Sequence, residues 1–328
     1  MTNKTRNIIL AIGIPILFAL LMRFVFDENL NNNLMVVMST SFLVGLPVLM
    51  GFLTIWLWKD TKVLQSKILQ FVYAGIPIIC FFLITLVLAI EGWACWLMML
   101  PAFLILSGIG GLIGGNLKNK RNNKLYASVL ILLPFILGPI EHQLTPPKTI
   151  YRVITSIEIK GAAETIWDNV TRVRTIADAE DHSRYTKWLG LPRPIKAELD
   201  FNGVGAHRKA IFDKGLVFDE DVTEYEDLKR MKFTITANPY DIPSTTMDKH
   251  IVIGGDYFDV LTGEYRLISL ADHHYRLELD SEFVLSTTFN YYAGFWAKLI
   301  MKDIQVNILR VIRERVNPTP DTPFKARD

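Results

Sequence analysis

The clearest chemical feature of the sequence is a pair of opposite charges that a hairpin brings together. Residues 213–215 read Asp-Lys-Gly, which is typical of a three-residue hairpin loop with glycine in the left-handed conformation. With this loop, Arg208 faces Glu220 across the two strands, on the same face as Phe212 and Phe218. If that face is concave, the charge pair lies among apolar side chains inside a cavity.

Such a pair supports two kinds of chemistry. It orients the polar head group of a ligand, or Glu220 with a raised pKa acts as a general base. The alternatives are structural. On the outer face the pair is a surface salt bridge worth less than about 1 kcal/mol. A two-residue turn at 214–215 shifts the register and separates Arg208 from Glu220.

The apolar residues of the chain are concentrated in its first part. Half of the 328 residues are hydrophobic, and few charges occur before residue 141. A membrane-spanning helix needs roughly 20 apolar residues. We therefore interpret residues 1–141 as a membrane region of five transmembrane helices, at about 8–26, 34–58, 68–90, 93–117 and a shorter segment 125–140.

The charges between these segments predict a topology. Basic and acidic loops alternate from the N-terminus to Glu141, as the positive-inside rule requires for five spans. The N-terminus is then cytoplasmic in a bacterial inner or plasma membrane, and the following domain is extracytoplasmic. If 125–140 does not span, that domain is cytoplasmic instead.

The predicted bundle contains closely spaced glycines and two charged residues near the ends of its spans. Gly110 and Gly114 have the spacing that allows close helix contact, as do Gly111 and Gly115. We favour packing inside the bundle, with a homo-oligomer through the membrane region as the alternative. Arg23 and Glu91 are expected at span ends, outside the apolar centre.

The second half has the composition of a water-soluble domain. Alternating and helical periodicities predict a strand, a short helix, a run of antiparallel strands and a long C-terminal helix. These lie at 151–160, 162–173, 195–287 and 293–316, after a linker at 142–150 and before a disordered tail at 317–328. The predicted fold is α+β, with a curved antiparallel sheet around the last helix.

Several stretches resemble a known superfamily. Residues 157–167, Ile-Glu-Ile-Lys-Gly-Ala-Ala-Glu-Thr-Ile-Trp, resemble the opening strand and helix of START-like, or polyketide cyclase/dehydrase and lipid-transport (SRPBCC), domains. Residues 203–208, 222–225 and 231–233 are similar to its middle strands. The resemblance covers about 151–316 and implies a helix-grip fold with a cavity for a hydrophobic ligand. It implies no single chemistry, because members include carriers, cyclases, hydrolase-like proteins and sensors.

The resemblance adds four candidate ligand-binding residues to Arg208, Glu220, Phe212 and Phe218. Tyr185 and Trp188, with His182 nearby, lie in the irregular segment that flanks the cavity mouth in this fold. His250 precedes an apolar run and is either an inward-facing residue or an ordinary strand histidine. Trp296 lies on the apolar face of the last helix.

Other chemistries lack their motifs. The sequence has no HExxH motif and no clustered Cys/His set, and His273-His274 falls in a tight turn where adjacent side chains point apart. Gly203-x-Gly205 lacks the third glycine of a dinucleotide loop. We predict no metal and no cofactor. The soluble part is nearly neutral, which argues against nucleic-acid binding.

Three functions remain open at this point. The leading hypothesis is a non-enzymatic module, tethered to the bilayer, that binds a hydrophobic small molecule or lipid. The second is an enzyme of cyclase, dehydrase or hydrolase type with Glu220 as its base. The third is a membrane sensor or assembly protein in which the spans are the functional part.

Overall fold

The protein divides into two compact units in the computed structural model. Residues 2–26, 37–118, 123–144, 146–237 and 253–317 are described. The first unit comprises Met1–Pro146 together with Thr287–Phe289, and the second comprises Pro147–Ser286 and Asn290–Asp328. His250 and residues 318–328 of the predicted tail lie outside the described residues.

The first unit is helical throughout its described part. Its helices are α1 (Asn3–Val25), α2 (Thr40–Leu43), α3 (Gly45–Leu57), α4 (Thr61–Gln65), α5 (Lys67–Ala74), α6 (Ile76–Val87), α7 (Trp93–Leu117) and α8 (Asn123–His142). Among the described residues, four stretches are long and apolar enough to cross a membrane: Asn3–Val25, Thr40–Leu57, Lys67–Val87 and Trp93–Leu117. In α8 the apolar part is the shorter Ser128–Glu141. The fifth span, and with it the topology, stays a prediction.

Two of these stretches are interrupted, a detail that hydropathy did not predict. Val44 separates α2 from α3, and Gly75 followed by Pro77 separates α5 from α6. Proline lacks the amide hydrogen that a continuous helix needs, but it fits the first turn of a new one. The third stretch ends at Val87 and not at the predicted Ile90, because Ala89 adopts a positive φ of 50°.

The glycines of α7 allow its neighbours to approach closely. A Cβ atom on Gly110 would lie 2.0 Å from the carbonyl oxygen of Val48, and one on Gly114 would lie 2.7 Å from that of Phe52. A Cβ on Gly111 would lie 2.7 Å from the Cβ of Ala74. The glycines therefore pack closely inside the bundle, as predicted, and the homo-oligomer through the membrane region stays a prediction.

The two charges expected at span ends form an ion pair. Arg23 Nε donates to Glu91 Oε1, and the two side chains are only 6% and 4% exposed. Arg23 lies in the last turn of α1, and Glu91 lies between α6 and α7. Their location at helix ends agrees with the prediction, and the pairing neutralises both charges.

The second unit is a seven-stranded antiparallel sheet that curves around a long helix. The strands are β1 (Thr149–Lys160), β2 (Pro194–Leu199), β3 (His207–Phe212), β4 (Val217–Glu226), β5 (Arg230–Ala237), β6 (Phe258–Ala271) and β7 (His274–Leu285). Their order across the sheet is β1-β7-β6-β5-β4-β3-β2. The helices are α9 (Ala163–Thr171), the single turn α10 (Tyr185–Trp188) and α11 (Asn290–Val316). This helix-grip architecture confirms the predicted fold class.

The last helix begins three residues earlier than its hydrophobic pattern predicted. The side-chain amide of Asn290 donates to the carbonyl oxygens of Pro147 and Leu285, at 2.6 and 3.2 Å, and to Thr149 Oγ1 at 2.9 Å. These bonds hold the first residue of α11 against the start of β1 and the end of β7. A polar residue makes them, so the apolar period carried no sign of this start.

Candidate ligand-binding site

The inner face of the sheet packs against α11 along its whole length, but the packing differs between the two ends. At one end, beside α9, large apolar side chains are fully buried. We call this the closed end, and its members include Ile166, Trp167, Met231, Leu277, Leu309 and Ile312, all 0–1% exposed.

At the other end the inner face is less well covered. Here Val153, Phe212, Phe218 and Phe283 form a buried cluster. Further apolar side chains that pack on it are only half-buried. We call this the open end, and these half-buried members include Ala237, Phe258, Ala293, Ala297, Met301 and Ile304. Phe212 and Phe218, both predicted site residues, therefore belong to the open end.

A polar bridge lies between the two ends. Gln305 Nε2 donates to the Val153 carbonyl oxygen at 3.1 Å and to Ser281 Oγ at 2.9 Å. Its Oε1 accepts from Thr155 Oγ1 at 2.7 Å, and the residue is 1% exposed. Gln305 therefore fixes α11 on β1 and β7. The sequence analysis missed it, although a lone glutamine inside an apolar helical face was a visible signal.

The predicted hairpin places Arg208 opposite Glu220. Arg208 pairs with Glu220 and Ala210 with Phe218 in the β3–β4 register, which confirms the prediction. Within the loop, Lys214 (φ 57°) and Gly215 (φ 85°) both adopt the left-handed conformation, and glycine occupies the last of the three positions as predicted. Both charged residues face inward and are 3% exposed.

The contacts of this pair lie at the closed end. The Arg208 guanidinium binds the Glu220 carboxylate and also donates to the carbonyl oxygens of Val170 and Thr171, each at 3.3 Å. Those carbonyls belong to the last turn of α9, where helix carbonyls lack partners and a cation is favourable. The guanidinium carbon also lies 5.6 Å from the Phe233 ring centroid and 5.8 Å from that of Tyr265.

Burial perturbs the ionisation of these groups. It raises the pKa of Glu220 above its ordinary value, and the Arg208 guanidinium offsets part of that rise. Burial also acts to lower the pKa of Arg208, but the facing Glu220 carboxylate more than compensates, so the net pKa is raised. Burial raises the pKa of the Tyr265 phenol as well. The cluster therefore holds a charged guanidinium in an apolar environment.

The segment that was predicted to flank the cavity mouth is bound to α11. The Asp303 carboxylate accepts from the backbone amides of Arg184 and Thr186, at 3.0 and 2.9 Å. His182 Nε2 lies 2.8 Å from Glu314 Oε2, and its backbone amide donates to Asn307. His182 is thus part of this attachment of the segment to the helix.

The aromatic candidates of this segment point away from the core. Tyr185 and Trp188 are 42% and 54% exposed. A role at a cavity mouth stays a prediction for both. Trp296 is half-buried on α11, with its ring centroid 5.6 Å from that of Phe295. Its indole Nε1 is buried and has no hydrogen-bond partner among the described residues. His250, the remaining candidate, lies outside them.

A metal site needs several donor side chains that converge on one point. Across the described ranges, no group of three or more His, Cys, Asp or Glu side chains could hold a metal ion. The residue with the most metal-like surroundings is His207, because its two ring nitrogens lie 3.0 and 3.2 Å from carboxylate oxygens of Asp221 and Asp219. The two nitrogens point in opposite directions, so they do not converge on one ion.

Comparison with known proteins gives structural likeness only. No protein-family model and no curated protein matches the chain. Truncated norcoclaurine synthase from Thalictrum flavum is similar at 13% identity and a TM-score of 0.33, over 54% of this chain and 98% of that one. A START superfamily protein from Mycobacterium smegmatis is similar at 13% identity and a TM-score of 0.32, over 50% and 96%.

A conserved protein of unknown function from Enterococcus faecalis is similar at 16% identity and a TM-score of 0.29, over 54% of this chain and 78% of that one. At such identities and scores, none of these likenesses indicates what the present chain binds or catalyses. The open end and the buried charge pair have to be interpreted from their own geometry.

Proposed function

We propose that the helix-grip domain binds a hydrophobic small molecule or lipid at its open end, and that the apolar helices of the first unit anchor it in a membrane. The observation that carries this proposal is the incompletely buried apolar surface formed by Ala293, Ala297 and Met301 of α11. That surface faces the sheet, where a folded domain ordinarily excludes water.

A ligand that covers this apolar surface removes it from water, and this burial supplies free energy for binding. Each Å² of apolar surface removed from water contributes roughly 25 cal/mol. Ligand pockets are concave and mostly apolar, with a few polar groups that fix orientation. The open end has this composition. A bound apolar molecule would stabilise such an incompletely buried inner face more than the better-packed closed end.

Trp296 lies in the same half of α11 and gives a second reason to place the ligand there. Leaving a buried donor unpaired costs about 1–3 kcal/mol, and its indole Nε1 has no partner among the described residues. An acceptor oxygen on a ligand removes that cost. We therefore favour a ligand that combines an apolar body with at least one oxygen acceptor.

The membrane anchor determines where the helix-grip domain encounters such a ligand. Only six residues separate the end of α8 at His142 from the start of β1 at Thr149. A short tether gives the domain a high effective concentration of membrane components. Lipids and membrane-dissolved molecules are accordingly the ligands we favour. If α8 is a fifth span, the domain meets them on the extracytoplasmic side.

An enzymatic role for Glu220 is not part of this proposal. The carboxylate is bound to Arg208 at the closed end, and both side chains are almost fully buried. A general base must reach the proton that it removes, directly or through one water molecule. The ligand surface proposed here lies at the open end, so we assign the Arg208–Glu220 pair to folding.

Native mass spectrometry of the full-length protein, extracted in mild detergent, tests the proposal. We expect a non-covalent adduct on the wild type that fragmentation identifies as a lipid or another apolar molecule. Ala297→Phe, which fills the open end, should remove the adduct. Ala179→Phe is the matched control, since Ala179 is exposed, and it should retain the adduct. A wild-type protein that carries no adduct, or equal adducts on both variants, would contradict the proposal.

A further inference from the structure

The outer side of the first turns of α11 carries an exposed stripe of aromatic and basic residues. Tyr291 is 83% exposed and Phe295 is 60% exposed, more than any other large apolar or aromatic side chain of the described second unit except Ile150 and Val204. Lys298 and Lys302 are also exposed. A free-standing soluble domain gains nothing from presenting two aromatic rings to water.

The spacing of these four residues places them on one narrow face. Positions 291, 295, 298 and 302 are separated by four, three and four residues, so they line up along the helix. Ala293, Ala297 and Met301, which pack on the open end, lie on the opposite side of the same turns. This half of α11 therefore has an apolar inner face toward the sheet and a second, amphipathic outer face, which we call the outer stripe.

The composition of the outer stripe indicates its partner. Aromatic rings are favoured at the level of lipid head groups, and lysine side chains extend from apolar surface to reach anionic phosphates. Lys298 Nζ lies 4.7 Å above the ring of Tyr151, a half-buried residue of β1, while the Lys298 side chain remains exposed at the edge of the outer stripe. A protein partner that matched two lysines would need facing carboxylates, whereas an anionic bilayer supplies phosphates at every position.

The residues that directly precede α11 in the chain also favour a membrane as the partner. Thr287–Phe289, the three residues immediately before α11, are grouped with the helical unit whose apolar stretches are long enough to cross a membrane. The outer stripe begins two residues later, at Tyr291. We infer that the outer stripe of α11 is a membrane-contact surface that docks on the head-group region of an anionic bilayer. This inference rests on the membrane anchor of the proposed function and does not depend on ligand binding at the open end.

Site-directed spin labelling of the full-length protein in vesicles tests the inference. Phe295→Cys and, as the matched control, Phe201→Cys are labelled in a Cys80→Ala/Cys95→Ala background. Phe201 is also an exposed aromatic residue, at 49%, but it lies in the loop between β2 and β3. Collision rates with oxygen, which concentrates in lipid, and with a water-soluble nickel chelate give the environment of each label.

In vesicles of phosphatidylcholine and phosphatidylglycerol, we expect the label at 295 to have high oxygen and low nickel collision rates. Its depth should fall in the interfacial range of about 5–10 Å. The label at 201 should be accessible to nickel. High nickel accessibility at both positions would overturn the inference. Low rates with both reagents at 295 would also overturn it, because they indicate a protein partner.

The lysines are tested separately from the aromatic residues. Lys298→Gln/Lys302→Gln should make the label at 295 shallower in vesicles that contain phosphatidylglycerol and leave it unchanged in pure phosphatidylcholine. An unchanged depth in both lipids would overturn the assignment of the lysines to anionic head groups. Each labelled protein should show the wild-type unfolding midpoint, which excludes misfolding as the cause of a changed accessibility.

Discussion

The two ends of the helix-grip domain use one helix and one sheet but reach different degrees of packing. At the closed end Leu309 and Ile312 of α11 are 1% and 0% exposed, whereas at the open end Ala297 and Met301 remain half-buried. Stability and binding are thus assigned to different ends of one inner face. Gln305 lies at the border and fixes the helix for both.

The position of the charge pair follows from the same comparison. A guanidinium and a carboxylate were expected to mark the ligand site, but they lie at the closed end with α9 and the Phe233 ring. A buried pair whose members satisfy one another is a structural element, and it is costly to disrupt from one side only. Our proposal therefore assigns the pair to folding on the depth of its burial, whatever the chemistry of its residue types allows.

The largest expected effect comes from breaking this pair. Arg208→Met leaves the Glu220 carboxylate buried without its partner and should lower the free energy of unfolding by about 3–5 kcal/mol. The measurement is denaturant unfolding of the detergent-solubilised protein, followed by near-ultraviolet circular dichroism. The double variant Arg208→Met/Glu220→Leu should recover most of the loss. If the double variant is as unstable as the single one, the pair has a role beyond neutralising its own charges.

Two alanine substitutions, with a smaller expected effect on the free energy of unfolding, compare the two ends directly. Leu309→Ala removes a fully buried side chain and should cost about 2–5 kcal/mol. Met301→Ala removes a side chain that is only partly buried, so it should cost less than about 1.5 kcal/mol. The same unfolding assay measures both. Equal losses would mean that the open end is packed as tightly as the closed end, which contradicts the comparison.

The polar bridge should have an intermediate cost. Gln305→Leu leaves the Val153 carbonyl and the Ser281 and Thr155 hydroxyls without this partner, and we expect a loss of about 1–3 kcal/mol. Hydrogen exchange should also show faster opening of β1 beside α11. Gln305→Glu is a useful second variant, since it keeps the size and the Thr155 contact but loses both amide donations. A wild-type exchange rate in β1 would exclude the bridge as the attachment point.

The smallest effect is a pH dependence at the surface. The hydrogen bond that the His207 ring donates to the Asp221 carboxylate raises the pKa of His207 above its usual value; burial opposes this rise, and the hydrogen bond to Asp219 adds to it. A raised pKa in the folded state stabilises the fold below the unfolded value near 6.5, and this contribution is lost as the pH rises through the folded pKa.

We therefore expect wild type and His207→Asn to differ most at about pH 5.5 and to converge by about pH 8.5. Because His207 is exposed, the difference should stay below about 1 kcal/mol. Unfolding curves at several pH values give the comparison. A difference that grows with pH would have the wrong sign for this mechanism.

Local patterns predicted much of the fold. The turn sequence at 213–215 gave the correct strand register, because glycine and a short loop leave few alternatives. The apolar period of α11 and the alternation of β1 likewise predicted the existence of both elements. These features depend on neighbours in the chain, which the sequence shows directly.

The remaining features depend on distant residues. The hairpin register showed which face Arg208 occupies but not that the carbonyls of α9 lie beside it. The attachment of residues 182–186 to Asp303, Asn307 and Glu314 joins positions more than a hundred residues apart. No periodicity encodes such contacts. The same limit applies to Tyr185 and Trp188, whose aromatic character did not show that they face solvent.

The difference between the two halves of α11 is tested most directly by hydrogen exchange on the full-length protein, before and after removal of bound apolar molecules. After removal, we predict that amides at 293–301 exchange faster than those at 305–312, and that adding back the extracted molecules protects the first group alone. Equal exchange in both halves, or protection that spreads evenly along the helix, would contradict binding at the open end.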